Sequence, residues 1–163
     1  MVPSDVLLQN ELFRGVTPDE LRHLGFKAHE AHFTRDELLF TQGGFAERLY
    51  LLTEGVVSLR KELMAPVPIP SGESSITLCG PGEVAGWSAL VHPFRYTLTA
   101  AAVTPVAAVA IEGWDLRSGM ERYPRIGFKV ISSLAEIVSR RLRQIEDALM
   151  AYRAYDLMGS KGR

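Results

Sequence analysis

The chain has a single cysteine, Cys79, among 163 residues, which excludes an internal disulfide and any Cys-based zinc cluster within one chain. It has no excess of either charge. Eighteen basic and 19 acidic side chains give a net charge of −1, so there is no electrostatic footprint for nucleic acid or for an anionic membrane. No window reaches the roughly 18 uninterrupted apolar residues of a membrane span. The start, MVPSDVLLQNELF, lacks a basic n-region and acquires acids at Asp5 and Glu11, which is not a secretory signal. Internal repeats and low-complexity tracts are absent as well. What remains is an ordinary globular composition, 47% hydrophobic and 23% charged, expected to form one cytoplasmic domain with no membrane contact.

The local signals divide that domain into three parts. In residues 1–30, Ser4 begins a short helical run, and Thr17-Pro18-Asp19-Glu20 reads as a second helix start. There Thr17 caps, Pro18 takes the first helical position and Glu20 closes the capping box. Residues 31–112 carry short apolar runs punctuated by turns. Leu38-Leu39 and Leu51-Leu52 mark strands, with Gln42-Gly43-Gly44 turning between them. Thr53-Glu54-Gly55 predicts a tight hairpin joining RLYLL to VVSLRKE, with Gly55 supplying the positive φ. APVPIPSGESS holds three of the nine prolines and reads as an exposed loop, and SITLCG follows as a strand. TLTAAAV and VAAVAIEG are joined across Thr104-Pro105. Such short, evenly spaced strands predict an antiparallel jelly roll, mainly β with flanking helices.

Residues 114–158 are helical in pattern. Trp114 to Met120 forms a short helix, and Pro124 opens a long one. Its apolar positions Phe128, Ile131, Ala135, Val138, Leu142, Ile145, Leu149 and Tyr152 alternate steps of three and four. That is the 3.5-residue period of a coiled-coil seam. Val130, Leu134 and Ile137 lie beside the early part of the seam, which is expected to pack partly on the barrel. Beyond about Leu142 the helix outruns the barrel, and a parallel homodimer would bury the remaining apolar residues. Residues 159–163 read as a tail.

In this order and spacing the chain resembles the cyclic-nucleotide-binding domain of the catabolite-activator and FNR-type regulators. The likeness runs from about Leu12 to Tyr152. It rests on Gly43, on LYLLTEGVVSL, on Ile111-Glu112-Gly113-Trp114, and above all on PGEVAGWSALVHPFRYT, which matches the phosphate-binding cassette at 82–97. In the family a glycine-glutamate pair starts a short helix that holds the cyclic phosphate, and an arginine-serine-alanine triplet follows. On that register Gly82-Glu83 is the preceding turn, Val84-Ala85 an apolar pair, and Gly86-Trp87 the functional position. The ribose-binding glutamate is thus replaced by Trp87. Arg95-Tyr96-Thr97 takes the place of the triplet, keeping the arginine. The resemblance therefore implies ligand contacts from Gly86, Trp87, Ser88, Ala89, Arg95, Tyr96 and Thr97, to cAMP, cGMP or another anionic effector. Loss of one hydrogen bond to a charged group, about 1.5–3 kcal/mol, would weaken cyclic nucleotide binding by roughly tenfold to a hundredfold. Indole accepts no hydrogen bond. In the long helix, Ile145 and Glu146 stand where the family places ligand-binding hydroxyls.

The implied function is a small-molecule-sensing regulatory domain, not an enzyme, that signals through its dimer helix to an unidentified downstream protein. Family members usually continue into a DNA-reading winged helix. The present sequence holds no such domain, which leaves a stand-alone sensor acting through a partner, or a shortened chain. Arg140, Arg141 and Arg143 stand among Glu136, Glu146 and Asp147 and read as a solvated helix face without nucleic-acid contact. An alternative is a ligand-free interaction or dimerisation module whose pocket Trp87 and Tyr96 close. A third reading, a cupin-like metalloenzyme, would need ligands such as His29, His32 and His92. The three-residue spacing of His29 and His32 puts them on opposite strand faces, so no metal or other resident cofactor is expected.

Overall fold

The computed structural model describes residues 2–62 and 75–159. Helix α1 (Ser4–Leu8) and a 3-10 turn at Glu11–Phe13 lead into α2 (Pro18–Leu24). The capping box forms as the sequence predicts. Glu20 N–H donates to Thr17 Oγ1 at 3.2 Å, and Thr17 N–H donates to Glu20 Oε2 at 2.9 Å. Both donors would otherwise lack helical partners. Lys129 Nζ lies 2.7 Å from the same Glu20 carboxylate; this contact first, then Thr17, holds its pKa below the usual range.

The described strands are β1 (Ala28–Phe33), β2 (Leu38–Phe40), β3 (Arg48–Glu54), β4 (Val57–Arg60), β5 (Ser75–Cys79), β6 (Val84–Ala85), β7 (Thr99–Ala102) and β8 (Val106–Glu112). They form two antiparallel sheets, ordered β1-β8-β3-β6 and β2-β7-β4-β5. This is the expected jelly roll. Strand β1 starts at Ala28, earlier than its apolar pattern indicated, because register with β8 (Ala28↔Ile111) holds it extended. The expected proline-rich loop at 65–75 lies outside the described residues, except for Ser75, which opens β5.

The hairpin expected at Gly55 is corrected. β3 and β4 belong to different sheets, pairing with β8 and β7 respectively, so Gly55 carries the chain from one sheet to the other. Its φ is +81°, and a side chain there would stand 2.1 Å from Pro105 O. The returning segment crosses alongside: Val56 N–H donates to Thr104 Oγ1 at 2.9 Å, and Val103 N–H to Val56 O at 2.8 Å. Two neighbouring crossings close that edge of the roll by satisfying each other's backbone groups.

Helix α3 (Gly113–Arg122) packs against α2, β8 and the helical turn at 87–90, and α4 (Pro124–Gly159) packs against α3 and the 3-10 turn at Glu11–Phe13. Ile126, Val130, Leu134 and Ile137 form the face of α4 buried in the core. The seam lies beside that face, and none of its eight residues belongs to the core cluster. Ala135 is exposed, and the other seven residues range from 41% (Val138) to 73% (Phe128) exposed. Among the described residues, no helix is long and apolar enough to cross a membrane.

Candidate functional site

The cassette begins with β6 zipped to β3, where Leu52 N–H donates to Glu83 O and Gly82 N–H to Leu52 O at 2.9 and 2.8 Å. Glu83 is the turn residue: its Oε2 accepts from Gly80 N–H at 2.7 Å. Gly86 then adopts φ +78°, and Trp87–Leu90 forms a 3-10 helix. A side chain at Gly86 would press on Arg48 O, Phe40 and Tyr96 at 3.1–3.3 Å, so both its angle and its packing require glycine. Trp87 and Ser88 are partly exposed, whereas Ala89 is buried against Gly113, with its carbonyl accepting from Arg117.

Residues 94–96 are stitched to the 43–46 turn. Ala46 N–H donates to Phe94 O at 2.8 Å, Gly43 N–H to Tyr96 O at 2.8 Å, and Tyr96 N–H to Gly44 O at 3.0 Å. This stitching sends alternate side chains to opposite sides. Arg95 points out, donating to Gly43 O at 2.9 Å, with its guanidinium 4.8 Å from the Phe45 ring centroid. Tyr96 points in and is 7% exposed. Its ring stacks on Phe40 with centroids 4.0 Å apart, and its hydroxyl donates to Arg48 O at 2.7 Å. Burial pushes its pKa up to about 12. Thr97 is exposed, and its carbonyl accepts from Lys61 Nζ at 3.1 Å. Of the seven expected site residues, Ala89 and Tyr96 therefore belong to the core, while Gly86, Trp87 and Ser88 share one edge of the cassette.

The solvated-face reading is corrected for Arg141, which is only 7% exposed. Its Nη2 donates to Cys79 Sγ at 2.7 Å and to Val84 O at 2.9 Å, and its guanidinium sits 4.3 Å from the Trp87 ring centroid. None of the ion pairs among the described residues involves it. The neighbouring acids are engaged elsewhere: Glu83 with Gly80, and Glu11 with Arg140 and Val84 N–H. A buried charge without a counter-charge costs several kcal/mol after relaxation. Arg141 thus joins α4 to the cassette through its charge, its hydrogen bonds and its stack on Trp87. The sequence held a signal for this placement, since a step of four from Ile137 extends the buried Val130, Leu134, Ile137 stripe onto Arg141. Arg143 is exposed as expected and donates to Ser139 Oγ.

Cys79 lies beneath this arginine with no exposed surface, and burial raises its thiol pKa to about 11 despite the nearby positive charge. At pH 8 only about one thiol in a thousand is then ionised. Ellman's reagent is expected to leave the native protein untouched and to titrate one thiol after denaturation. Rapid labelling of the native chain would contradict this burial. His29 and His32 are both exposed on β1, and among the described residues no cluster of three or more His, Cys, Asp or Glu side chains is placed to hold a metal.

Comparison with known proteins places this geometry. A CRP-like cAMP-activated global transcriptional regulator of Mycobacterium tuberculosis is 27% identical over 147 residues, covering 90% of this chain and 61% of the relative. The chain therefore spans about three fifths of the length of the curated relatives it matches. The N-terminal domain of a transcriptional regulator from Streptomyces coelicolor superposes with a TM-score of 0.63 at 30% identity, over 89% of this chain and 95% of that one. The catabolite activator protein of Thermus thermophilus gives 0.64 at 27% identity, over 88% and 63% of the two chains. The sequence profile of the cyclic nucleotide-binding domain matches residues 30–123, and with that match and this β-roll the chain belongs to the cyclic nucleotide-binding domain family.

Proposed function

We propose that the chain is a small-molecule-sensing regulatory domain that binds a nucleotide or other anionic effector at the edge of its altered cassette and signals through α4. The observation that carries this reading is Arg141, a buried guanidinium with neutral partners at the cassette and no ion pair among the described residues. An anion would supply the direct ion pair that Arg141 lacks among the described residues. Arg141 sits on the signalling helix itself, one residue before Leu142 of the exposed seam. A change in its contacts would bias the helix relative to the cassette. The output state is a parallel homodimer through Phe128, Ile131, Ala135, Val138, Leu142, Ile145, Leu149 and Tyr152, acting on a downstream protein.

A second reading, a ligand-free interaction module, is favoured by the depth of Tyr96, which closes the interior behind Gly86. A thermal-shift panel separates the two. Among cAMP, cGMP, other nucleotides and simple phosphates at millimolar concentration, any effector of a sensor should raise the midpoint, since a ligand that binds only the folded state stabilises it by RT ln(1 + [L]/Kd). Arg141→Gln is expected to abolish whatever shift the wild type shows. If no compound moves the midpoint, the sensor reading fails and the closed module takes its place.

A further inference from the structure

We infer that Tyr96 is the specificity-determining residue of this site, a size filter that admits a compact anion and excludes a nucleoside. The inference rests on the anion-effector reading and names the class of effector. The inner side of Gly86 is occupied. Tyr96 lies there face to face with Phe40, at an interplanar angle of 12°, and Phe40 stacks in turn on Tyr50. A methyl on Gly86 would stand 3.3 Å from the Tyr96 ring, and one on Gly44 would stand 3.8 Å from it. The Gly44 distance is an ordinary contact, whereas the Gly86 distance is tight, so glycine at 86 is what seats the ring.

Nor is the ring free to swing aside. Its hydroxyl donates to Arg48 O and accepts from Arg48 N–H at 3.3 Å, while its own backbone is bonded in both directions to Gly43 and Gly44. Moving it would return a buried aromatic ring to water and break that stitching. A sugar or base directed inward past Gly86 meets this stack. On the other side the Arg141 guanidinium is a buried charge stacked against the partly exposed Trp87 indole, which supplies no acceptor for a sugar hydroxyl. The charge is provided for, and the nucleoside is not. The matching ligand is a compact oxyanion, tetrahedral or a short carboxylate.

The test uses the full chain as wild type, Tyr96→Ser and Tyr96→Phe, titrated at constant ionic strength with phosphate, sulfate, acetate and cAMP. Binding is read by calorimetry alongside the thermal midpoint. Wild type is expected to respond to phosphate and not to cAMP. Tyr96→Ser should gain cAMP affinity by at least about tenfold. Tyr96→Phe should behave as wild type, because the ring and not its hydroxyl is the obstacle. A response to sulfate but not acetate identifies a tetrahedral anion, and a response to acetate a carboxylate. Wild-type cAMP binding as tight as phosphate binding overturns the filter, and so does an unchanged cAMP-to-phosphate ratio in Tyr96→Ser. Should Tyr96→Ser not fold, Tyr96→Leu and the wild-type ratio still decide it. A wild type deaf to every anion, beside a Tyr96→Ser that binds cAMP, removes the anion-effector reading while the filter stands. Silence in every protein removes both.

Discussion

Leu142→Lys combined with Leu149→Lys is expected to convert a homodimer into a monomer, with the mass from light scattering falling by half. The seam runs the length of α4, and none of its eight residues enters the core of its own subunit. Leu142 and Leu149 are 55% and 53% exposed in the single chain, so their burial would come from a second copy. Each buried leucine contributes roughly 1.5–3 kcal/mol, and the double substitution removes four of them from a two-fold interface. It also places four ammonium groups along one seam. A loss on the order of 6 kcal/mol or more weakens the dimer by over four orders of magnitude. Subunit stability should change little, since Val130, Leu134 and Ile137 hold α4 on the roll. An unchanged mass would refute the seam, and a monomeric wild type would refute the dimer. Because Arg141 precedes Leu142, the same variant asks whether the anion site proposed there depends on pairing.

The seam and the capping box were legible because each is a local pattern. Thr17 and Glu20 satisfy one another within four residues, and α4 alone sets the period of its seam. The turn glycines of the cassette were legible for the same reason: Gly82 and Gly86, at φ +86° and +78°, occupy the two positions where the register demands a bend. Gly55 shows where local reading stops. A period of two and a glycine signal a turn between strands, but they do not say which sheet receives the second strand. That is settled by Thr104 and Pro105, some fifty residues further on.

Arg141 escaped for a related reason, and Tyr96 was legible only as two alternatives, a ligand contact or a residue that closes the pocket. The acids counted against Arg141, namely Glu136, Glu146 and Asp147, are exposed and lie away from the stripe that Arg141 extends. Charge counting along the chain averages over faces that the fold separates. Tyr96 aligned with a small, ligand-side residue of the family. Its depth follows from Gly86, which leaves room for the ring, and from the backbone bonds that bring residues 94–96 against the 43–46 turn. Both residues were visible as types, and their surroundings were not.

Gly119→Ala is expected to lower stability by about 3 kcal/mol, although helix propensity alone predicts a gain of about 1 kcal/mol from the same change. Gly119 lies in α3, where α3 meets the C-terminal end of α2. A methyl group there would stand 2.1 Å from Leu24 O, 2.9 Å from its carbonyl carbon and 3.1 Å from its Cα. All three are backbone atoms, so no side-chain rotation relieves the contact. Leu24 is itself fixed, being 2% exposed and followed by Gly25 at φ +65°, which ends α2. Relief requires the two helices to separate through a layer that holds Leu21, Leu116 and Met120 in close packing. The strain and the lost contacts exceed the propensity gain. For a chain of this length, about 3 kcal/mol corresponds to a fall of roughly 10 °C in the thermal midpoint. Gly113 and Gly127 meet Ala89 and Met120 at 2.7–2.9 Å by the same measure, so α3 is held by glycine contacts to α2, the cassette and α4. Gly159→Ala, at the last residue of α4 and with no atom within 4 Å of the added methyl, is the control expected to leave the midpoint unchanged. If Gly119→Ala melts at or above the wild-type temperature, α2 yields at that contact and α3 is not a rigid spacer between the cassette and α4.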